Sequence, residues 1–414
     1  MPAKAPRTQL DNEINRGYLA HFRRWSGQRT GKGLGSFSWR VLYGRPARLV
    51  TLPLLPLVIL WVLIRLKLTR STPVPVGDLH RRASDYVDNF VEQYPLHLYP
   101  ILAKAFEQAY LKEALSDVLA GNGKVLEVAV GDGTLSKHLF GPGQSITALD
   151  LNPYSLSKAL RLPHVGRAVI ADGLNPPFSQ GAFDLLLSNN FLHHVTQKRS
   201  TLGNWSKLAS TLVFNENTPY WASGWTAPYI LRQLGLERLS RRSASAFERN
   251  SLQSLESMKT LTEYAQSVSE VRDRTSFISE RTFFYCSLFS FALRCTGPPT
   301  PSLWKTVALG PLRSVVLPLT RTLARMLIEF DAYQDRSTDT FVAFRCRTAQ
   351  RRESRTTELI CPLCSGEVVE LRCQRCGEQF PQKDGMIFVL PPHLRGVFQD
   401  YRSEIAAATA SEHL

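Results

Sequence analysis

The stretch KVLEVAVGDGTLSKHLF (124–140) decides the fold. An apolar run of strand length leads into Gly131 and Gly133, and a helix-like segment follows them. Glycines at a strand-to-helix turn let the backbone approach a ligand closely, and the start of the helix offers free N–H groups. The stretch therefore predicts a strand, a ligand-binding turn and a helix of a parallel α/β sheet.

The sequence after this turn continues the alternation of strands and helices. Strands are predicted at 145–151, 167–172, 182–190 and 210–217. Short apolar runs between helix-length segments are typical of βαβ units and a mostly parallel sheet. Asp150 ends the second strand about 20 residues beyond the glycine turn, where an acidic side chain can accept hydrogen bonds from both ribose hydroxyls of a cofactor.

The order of these strand ends is more specific than any one of them. The glycine turn, Asp150, Asp172 and SNNFLHHV (188–195) together resemble the class I S-adenosylmethionine-dependent methyltransferases, especially the quinone- and sterol-biosynthesis branch. The resemblance covers residues 122–217 and implies a Rossmann-like fold and transfer of a methyl group from S-adenosylmethionine. The longer GxGxxG fingerprint of NAD-binding proteins is absent.

The resemblance also implies roles for individual residues. In this family the first-strand acid, here Glu127, and the glycine turn lie near the methionine part of the cofactor. The third-strand acid, here Asp172, reads the adenine amine, and Asn189 and Asn190 line the reaction pocket. The family usually has glycine where this chain has Ala129, which would narrow the methionine pocket slightly. The candidate cofactor-binding residues are Glu127, Gly131, Asp132, Gly133, Asp150, Leu151, Asp172, Gly173, Asn189 and Asn190.

The sequence does not identify the catalytic base. His193, His194 and Glu216 are candidates, although two adjacent histidines that cap a pocket wall would be a structural feature. The NPPF turn at 175–178 is interpreted as closing over adenine. Side chains after the fifth strand are candidates for substrate contact, with ordinary aromatic core as the alternative: Glu216, Asn217, Tyr220, Trp221 and Trp225.

Four of the seven cysteines form the pattern CxxC-x8-CxxC, at Cys361, Cys364, Cys373 and Cys376. Each pair can direct two thiolates at one tetrahedral ion, so the pattern predicts a structural zinc site in a ribbon domain at 358–395. A redox role would need only one CxxC. The residues FPQKDGMIFVLPP that follow resemble a small ribbon family that accompanies methyltransferases.

The N-terminal region, residues 1–82, is strongly basic, with fifteen Lys or Arg and three acidic residues. Such a charge indicates an anionic partner, either lipid headgroups or nucleic acid. Within it, residues 49–64 form an uncharged apolar run that would extend roughly 24 Å as a helix, short of a hydrocarbon core of about 30 Å. We expect a membrane-associating helical segment, peripheral or re-entrant, on the cytoplasmic face of a membrane, with a buried core helix as the alternative.

Residues 83–347 are predicted to form the catalytic domain, with an insertion at about 237–335. Residues 282–295 and 339–347 are predicted as its last two strands, paired antiparallel. Residues 309–330 are interpreted either as a second membrane-facing helix or as a buried helix with exposed arginines.

Three functions remain in competition at this point. The first is methyl transfer to a lipid or lipid-linked small molecule at a membrane surface. The second is RNA methylation, with the ribbon gripping the RNA, although the catalytic body is nearly neutral and RNA enzymes spread charge over the face that grips phosphates. The third is a non-catalytic, membrane-tethered scaffold.

Overall fold

The computed structural model describes residues 45–69, 78–94, 97–120, 123–141, 143–223, 226–251, 254–293, 303–334, 336–349 and 358–391. Within these ranges, five helices precede the first strand: α1 (Arg45–Thr69), α2 (Asp78–Tyr86), α3 (Asp88–Val91), α4 (Leu98–Ala114) and α5 (Ser116–Ala120). Helix α4 is apolar over most of its length and most of its residues are buried, so it packs as part of the core.

The centre of the molecule is the predicted parallel sheet. Its strands are β1 (Val125–Val128), β2 (Ile146–Asp150), β3 (Val165–Ile170), β4 (Phe183–Asn189) and β5 (Ala209–Asn217). Helices α6 (Ser136–Leu139), α7 (Pro153–Ala159) and α8 (Lys198–Trp205) connect them. The strands lie in the order β3-β2-β1-β4-β5, all parallel. The order reverses between β1 and β4, where ligands bind outside the carboxyl ends of the strands in α/β sheets of this type.

Four helices follow β5: α9 (Pro219–Ser223), α10 (Thr226–Gln233), α11 (Glu237–Ser251) and α12 (Met258–Gln266). Then come β6 (Glu270–Ser279), α13 (Glu280–Leu293), α14 (Leu303–Asp331) and β7 (Asp339–Arg347). Strand β7 lies antiparallel between β5 and β6. The predicted antiparallel last strand at 339–347 is therefore confirmed.

The prediction of a strand at 282–295 was wrong. Residues 282–293 lie in the helix α13, residues 294 and 295 lie outside the described residues, and the strand that pairs with β7 is β6, immediately before α13. The run is apolar at nearly every position, and periodicity alone does not distinguish a buried strand from a helix buried on all sides. Helix α13 is buried on several sides, since Phe283, Tyr285 and Leu288 point in different directions around it and all three are buried.

The residues after the cysteine pairs extend the main sheet. Strands β8 (Val368–Val369) and β9 (Arg372–Cys373) form a small antiparallel pair of their own. Strand β11 (Met386–Phe388) then pairs in parallel with β3 and in antiparallel with β10 (Gln382–Lys383). The outer edge of β3 is thereby covered by the cysteine-bearing segment, which removes one exposed sheet edge.

Helix α14 contains the arginine-bearing segment 309–330. Its Leu323 and Leu327 are buried. Arg321 and Arg325 reach Asp88 on α3, at 2.6 and 3.1 Å, so α14 packs on the N-terminal helices. This arrangement fits the buried alternative, in which the arginines stay at the surface.

Helix α1 contains the apolar segment 49–64 and packs on α13 and α14. Val62 and Leu66 are buried, but Leu57 and Leu60 are 61% and 54% exposed. The helix therefore has one packed side and one apolar side toward solvent. Among the described residues, no helix combines the length and apolar content needed to cross a membrane.

Candidate active site and metal centre

The glycine turn after β1 depends on backbone conformations that side chains disfavour. Ala129, Gly131 and Gly133 have φ values of 58°, 60° and 73°. A Cβ on Gly133 would overlap the side chain of Leu162, so this position requires glycine on two counts. The turn closes with the Asp132 carboxylate accepting hydrogen bonds from the Thr134 N–H at 3.1 Å and its hydroxyl at 2.6 Å.

Asp150 connects the end of β2 to this turn. Its Oδ2 accepts a hydrogen bond from the Gly131 N–H at 2.8 Å, and its Oδ1 accepts one from the Asn152 N–H at 2.8 Å. Burial raises the pKa of this carboxyl, and the backbone N–H groups act in the opposite direction. The Leu151 N–H is a third backbone donor to this carboxylate, which offers about four acceptor sites, so capacity remains for a ligand hydroxyl. Leu151 lies half-buried beside it.

Glu127 is buried in β1. The Ser136 hydroxyl lies 2.6 and 2.8 Å from its two carboxylate oxygens. Burial raises the pKa of Glu127 to about 7, although the Ser136 hydrogen bond and the charge of Lys104 lower it. Lys104 lies on α4, outside the strand pattern, and sequence reasoning missed it because only tertiary packing brings α4 to β1.

Asp172 and Gly173 lie just beyond β3. The Asp172 Oδ1 accepts a hydrogen bond from the Leu174 N–H at 2.9 Å. A Cβ on Gly173 would lie 3.0 Å from Phe191 and 3.1 Å from Val128, so the backbone is tightly enclosed here. The predicted adenine turn continues to Phe178, which bridges to Leu359 at the start of the cysteine-bearing segment.

Asn189 is the last residue of β4, next to the end of β1, and Asn190 follows it. Both side-chain amides donate to Glu107 on α4, from Asn189 at 3.2 Å and from Asn190 at 2.5 Å. Asn190 adopts a φ of 56°. Its backbone N–H donates to Asn215 Oδ1 at 3.0 Å. The predicted strand-end residues thus lie together at the carboxyl ends of neighbouring strands, the candidate cleft, and Glu107 is a further member that the sequence pattern did not reveal.

The candidates for a catalytic base form a different arrangement. Glu216 is buried, and its carboxylate accepts hydrogen bonds from the backbone N–H groups of Phe191 and His193, at 2.8 and 3.0 Å. Its Oε2 also lies 2.9 Å from His193 Nδ1. The carboxylate therefore caps the short helical turn after β4, and His194 stacks beside His193 at 4.0 Å. This geometry favours the structural interpretation for all three residues.

The candidates for substrate contact are dispersed. Trp221 donates from Nε1 to the Tyr99 hydroxyl of α4 at 2.7 Å. Asn217 is buried near His193, and Tyr220 is exposed. Trp225 lies outside the described residues. Trp221 and Tyr99 therefore join Glu107 on the α4 side of the cleft.

The four cysteines of the two CxxC pairs converge. Their sulfur atoms lie within 4.8 Å of one another. Tetrahedral zinc with bonds of about 2.3 Å would separate its sulfurs by roughly 3.8 Å, and the Cys361–Cys376 and Cys364–Cys373 distances are 3.7 and 3.4 Å.

Local backbone geometry also suits a metal ion. A Cβ on Gly366 would lie 3.0 Å from the Cys373 sulfur, so glycine leaves room for the cluster. The backbone N–H groups of Arg375 and Cys376 lie 3.4 and 3.5 Å from the Cys373 sulfur, where they can donate to a thiolate. The site can therefore hold a divalent ion that prefers thiolate ligands.

Comparison with known proteins bears on the strand-end cleft. Residues 126–210, which run from β1 into β5, match the family model described as a methyltransferase domain. The chain carries a methyltransferase domain. It is therefore an enzyme of the methyltransferase class, and its strand-end cleft is the candidate active site of that domain. No curated protein matches the chain.

Solved structures resemble the methyltransferase domain and its surroundings at low identity. One is a putative sarcosine dimethylglycine methyltransferase from Galdieria sulphuraria, with 14% identity over 58% of this chain and 87% of that one and a TM-score of 0.32. Another is a geranyl diphosphate C-methyltransferase from Streptomyces coelicolor A3(2), with 14% identity over 61% and 82% and a TM-score of 0.37. The [4+2]-cyclase SpnF has 14% identity over 59% and 82% and a TM-score of 0.34. Similarity at this level bears on the backbone alone.

Proposed function

We propose that the protein transfers the methyl group of S-adenosylmethionine to a lipid or lipid-linked small molecule at the cytoplasmic face of a membrane. The observation that carries the methyltransferase part is the convergence of Glu127, Asp150 and the glycine turn at the reversal between β1 and β4. When bound, the cofactor supplies a methyl group on a sulfonium, which a nucleophile can displace directly.

In this proposal, the residues of the cleft bind the cofactor and orient its methyl group. Asp150 is held by two backbone N–H groups at 2.8 Å, so its remaining acceptor sites are fixed in position to receive ribose hydroxyls. In this proposal Glu127 binds the methionine end, and Asp172 with Gly173 binds adenine. Enclosure by α4 excludes water and aligns the reactants, which is the main contribution a protein can make to such a displacement.

The lipid part of the proposal rests on the surface around α1. Exposed apolar side chains on this helix occur beside Arg65, whose guanidinium lies 5.5 Å from the centre of the Trp61 ring. Further exposed apolar residues lie on α10, α11 and the turn between them: Ile230, Leu234, Leu236 and Leu239. An apolar face with basic flanks and an aromatic residue is the composition of interfacial membrane segments. The basic region 1–82 adds attraction to anionic headgroups.

We further propose that the four-cysteine site holds a structural zinc ion. All four positions are occupied by protein thiolates, so no coordination position is open for catalysis. RNA methylation is the alternative function.

Calorimetry with S-adenosylmethionine tests the cofactor assignment. We expect micromolar binding to the wild-type protein and a loss of at least about tenfold in Asp150→Ala, because a buried acceptor for hydroxyl donors is removed. The matched control is Asp117→Ala, an exposed carboxylate that pairs with Arg345 far from the cleft. Absence of binding to the wild-type protein would overturn the proposed function.

A further inference from the structure

Glu107 of α4 is a fully buried carboxylate beside the carboxyl end of β4. Among the described residues, the side-chain groups within hydrogen-bond distance of it are all donors. Asn190 Nδ2 lies 2.5 Å from Oε1, while Asn189 Nδ2 and Lys104 Nζ lie 3.2 and 2.7 Å from Oε2. Burying a carboxylate is unfavourable without such partners. An apolar side chain would fill the same space without that cost, so packing alone does not account for the carboxylate.

The carboxylate determines which way the two carboxamides face. A carboxylate only accepts hydrogen bonds, so both asparagines must turn their nitrogen atoms toward Glu107 and their oxygen atoms away from it. Asn189 Oδ1 receives a long contact from Asn190 Nδ2, at 3.4 Å. Asn190 Oδ1 is buried and has no hydrogen-bond partner among the described residues.

The backbone holds Asn190 in this orientation. Its φ of 56° lies in the left-handed region, which asparagine tolerates better than most residues. The N–H of Asn190 is fixed by Asn215 Oδ1 at 3.0 Å. A buried acceptor that is oriented and unpaired costs free energy until a ligand donates to it. The cleft therefore contains a preorganised acceptor for an N–H or O–H group.

We infer that Glu107 is a positioning residue that turns Asn190 Oδ1 toward the place of the transferred methyl group. There the oxygen accepts a hydrogen bond from the methyl acceptor, which is therefore an amine or a hydroxyl compound. In the transfer, the lone pair of the acceptor nitrogen or oxygen forms the bond to the methyl carbon. The electron pair of the broken S–C bond stays on sulfur, and the methylated acceptor gives up its proton to solvent when the product leaves the site. This inference rests on the proposed function and extends it to the acceptor atom.

The test uses two cofactor analogues, sinefungin and S-adenosylhomocysteine. Sinefungin has an amine where S-adenosylmethionine has its transferable methyl group, whereas S-adenosylhomocysteine has nothing there. The sinefungin amine should therefore donate to Asn190 Oδ1. Calorimetry of both analogues is carried out on the wild-type protein and on Asn190→Ala, Glu107→Gln and Glu113→Gln. Glu113 is the matched control, because it lies on the same helix but is exposed and pairs with Arg82.

We expect Asn190→Ala and Glu107→Gln to weaken sinefungin binding by about tenfold, the usual effect of losing a hydrogen bond to a charged group. In Glu107→Gln the amide oxygen stays opposite Lys104 Nζ, which can only donate, so the new NH₂ group faces Asn190 and the Asn190 carboxamide must reverse. The affinity for S-adenosylhomocysteine should change less than about twofold in either variant. A general loss of structure would instead weaken the binding of both analogues. Glu113→Gln should bind both analogues as the wild type does.

An unchanged ratio of sinefungin to S-adenosylhomocysteine affinity in Asn190→Ala or Glu107→Gln would overturn the inference. Equal weakening of both analogues would also overturn it, because the effect would then be structural. If the wild-type protein bound neither analogue, the proposed function itself would fail and the inference with it.

Discussion

Ala129 adopts a backbone conformation that ordinarily belongs to glycine. The sequence comparison with class I methyltransferases placed a glycine at this position, and the φ of 58° supplies the physical reason. The left-handed region costs a residue with a Cβ about 1–2 kcal/mol. Alanine in place of glycine at position 129 therefore affects the backbone conformation of the turn as well as the width of the proposed methionine pocket.

Replacing Ala129 with glycine should stabilise the protein. The relief of strain exceeds the entropy that glycine adds to the unfolded chain, so we expect a gain of about 1 kcal/mol in the free energy of unfolding. Urea denaturation measures it. Ala171→Gly is the control, a buried alanine without a positive φ, and it should lose about 0.5–1 kcal/mol. A loss in Ala129→Gly would contradict the argument.

Glu127 gives the protein a pH dependence of the opposite sign to most carboxylates. Burial raises its pKa to about 7, well above the ordinary value for a glutamate, so the folded state binds the proton more tightly than the unfolded state. The resulting stabilisation is complete below about pH 4.5 and is lost as the pH rises through about 7.

We therefore expect the wild-type protein to lose stability relative to Glu127→Gln between pH 5 and pH 8, by about 2 kcal/mol. Denaturant titrations of both proteins at the two pH values measure the difference. The comparison removes contributions from all other groups. A difference that stays constant with pH would show that Glu127 titrates normally.

Single elements differ in how far their sequence determines them. The strands β1 to β5 were predicted within a few residues, because short apolar runs were separated by turns and helical segments. The run at 282–295 was ambiguous, since a helix buried on all sides has no apolar stripe. Its helical state follows from tertiary contacts. For example, the rings of Phe283 and of Tyr99 on α4 pack edge to face, with their centroids 4.6 Å apart.

The cysteine-bearing segment contacts the main sheet at several independent points. Glu358 pairs with Lys124 before β1 and with Arg167 on β3, and β11 adds backbone hydrogen bonds to β3. Loss of the metal ion should therefore destabilise the methyltransferase domain as well as the small β8–β9 pair.

We expect one zinc ion per chain by elemental analysis and its loss in Cys361→Ser. The thermal midpoint of this variant should fall by several degrees, because the ion no longer fixes the segment that covers β3. Cys286→Ala is the control, since Cys286 is a buried cysteine on α13 away from the cluster. A variant without zinc but with an unchanged thermal midpoint would show that the contacts between the cysteine-bearing segment and the sheet do not need the ion.

At the scale of the whole molecule, charge and exposed apolar surface coincide in the N-terminal part of the chain. Residues 1–82 are basic and α1 exposes leucines. Headgroup attraction falls with ionic strength, whereas apolar insertion does not. The two contributions can thus be separated by salt.

The full chain should float with vesicles that contain phosphatidylserine, and part of the binding should persist at about 0.5 M salt, where the Debye length is only a few ångströms. Leu57→Ser with Leu60→Ser should lose the salt-resistant part. Leu363→Ser is the control, an exposed leucine of the cysteine-bearing segment. Binding that disappears completely in salt would favour an electrostatic partner such as RNA, and the membrane proposal would fail.

The sequence by itself determined the parallel sheet, its glycine turn, the acidic strand ends and the grouping of the four CxxC cysteines into one cluster. These features are local in sequence: periodicity, turn chemistry and CxxC spacing act over a few residues. Only the tertiary structure decided that α4 brings Glu107 and Lys104 to the cleft, that α13 is a helix, and that β11 completes the edge of β3. Each of these depends on residues far apart in the chain, whose contact is stabilised by burial and hydrogen bonding that no local pattern encodes.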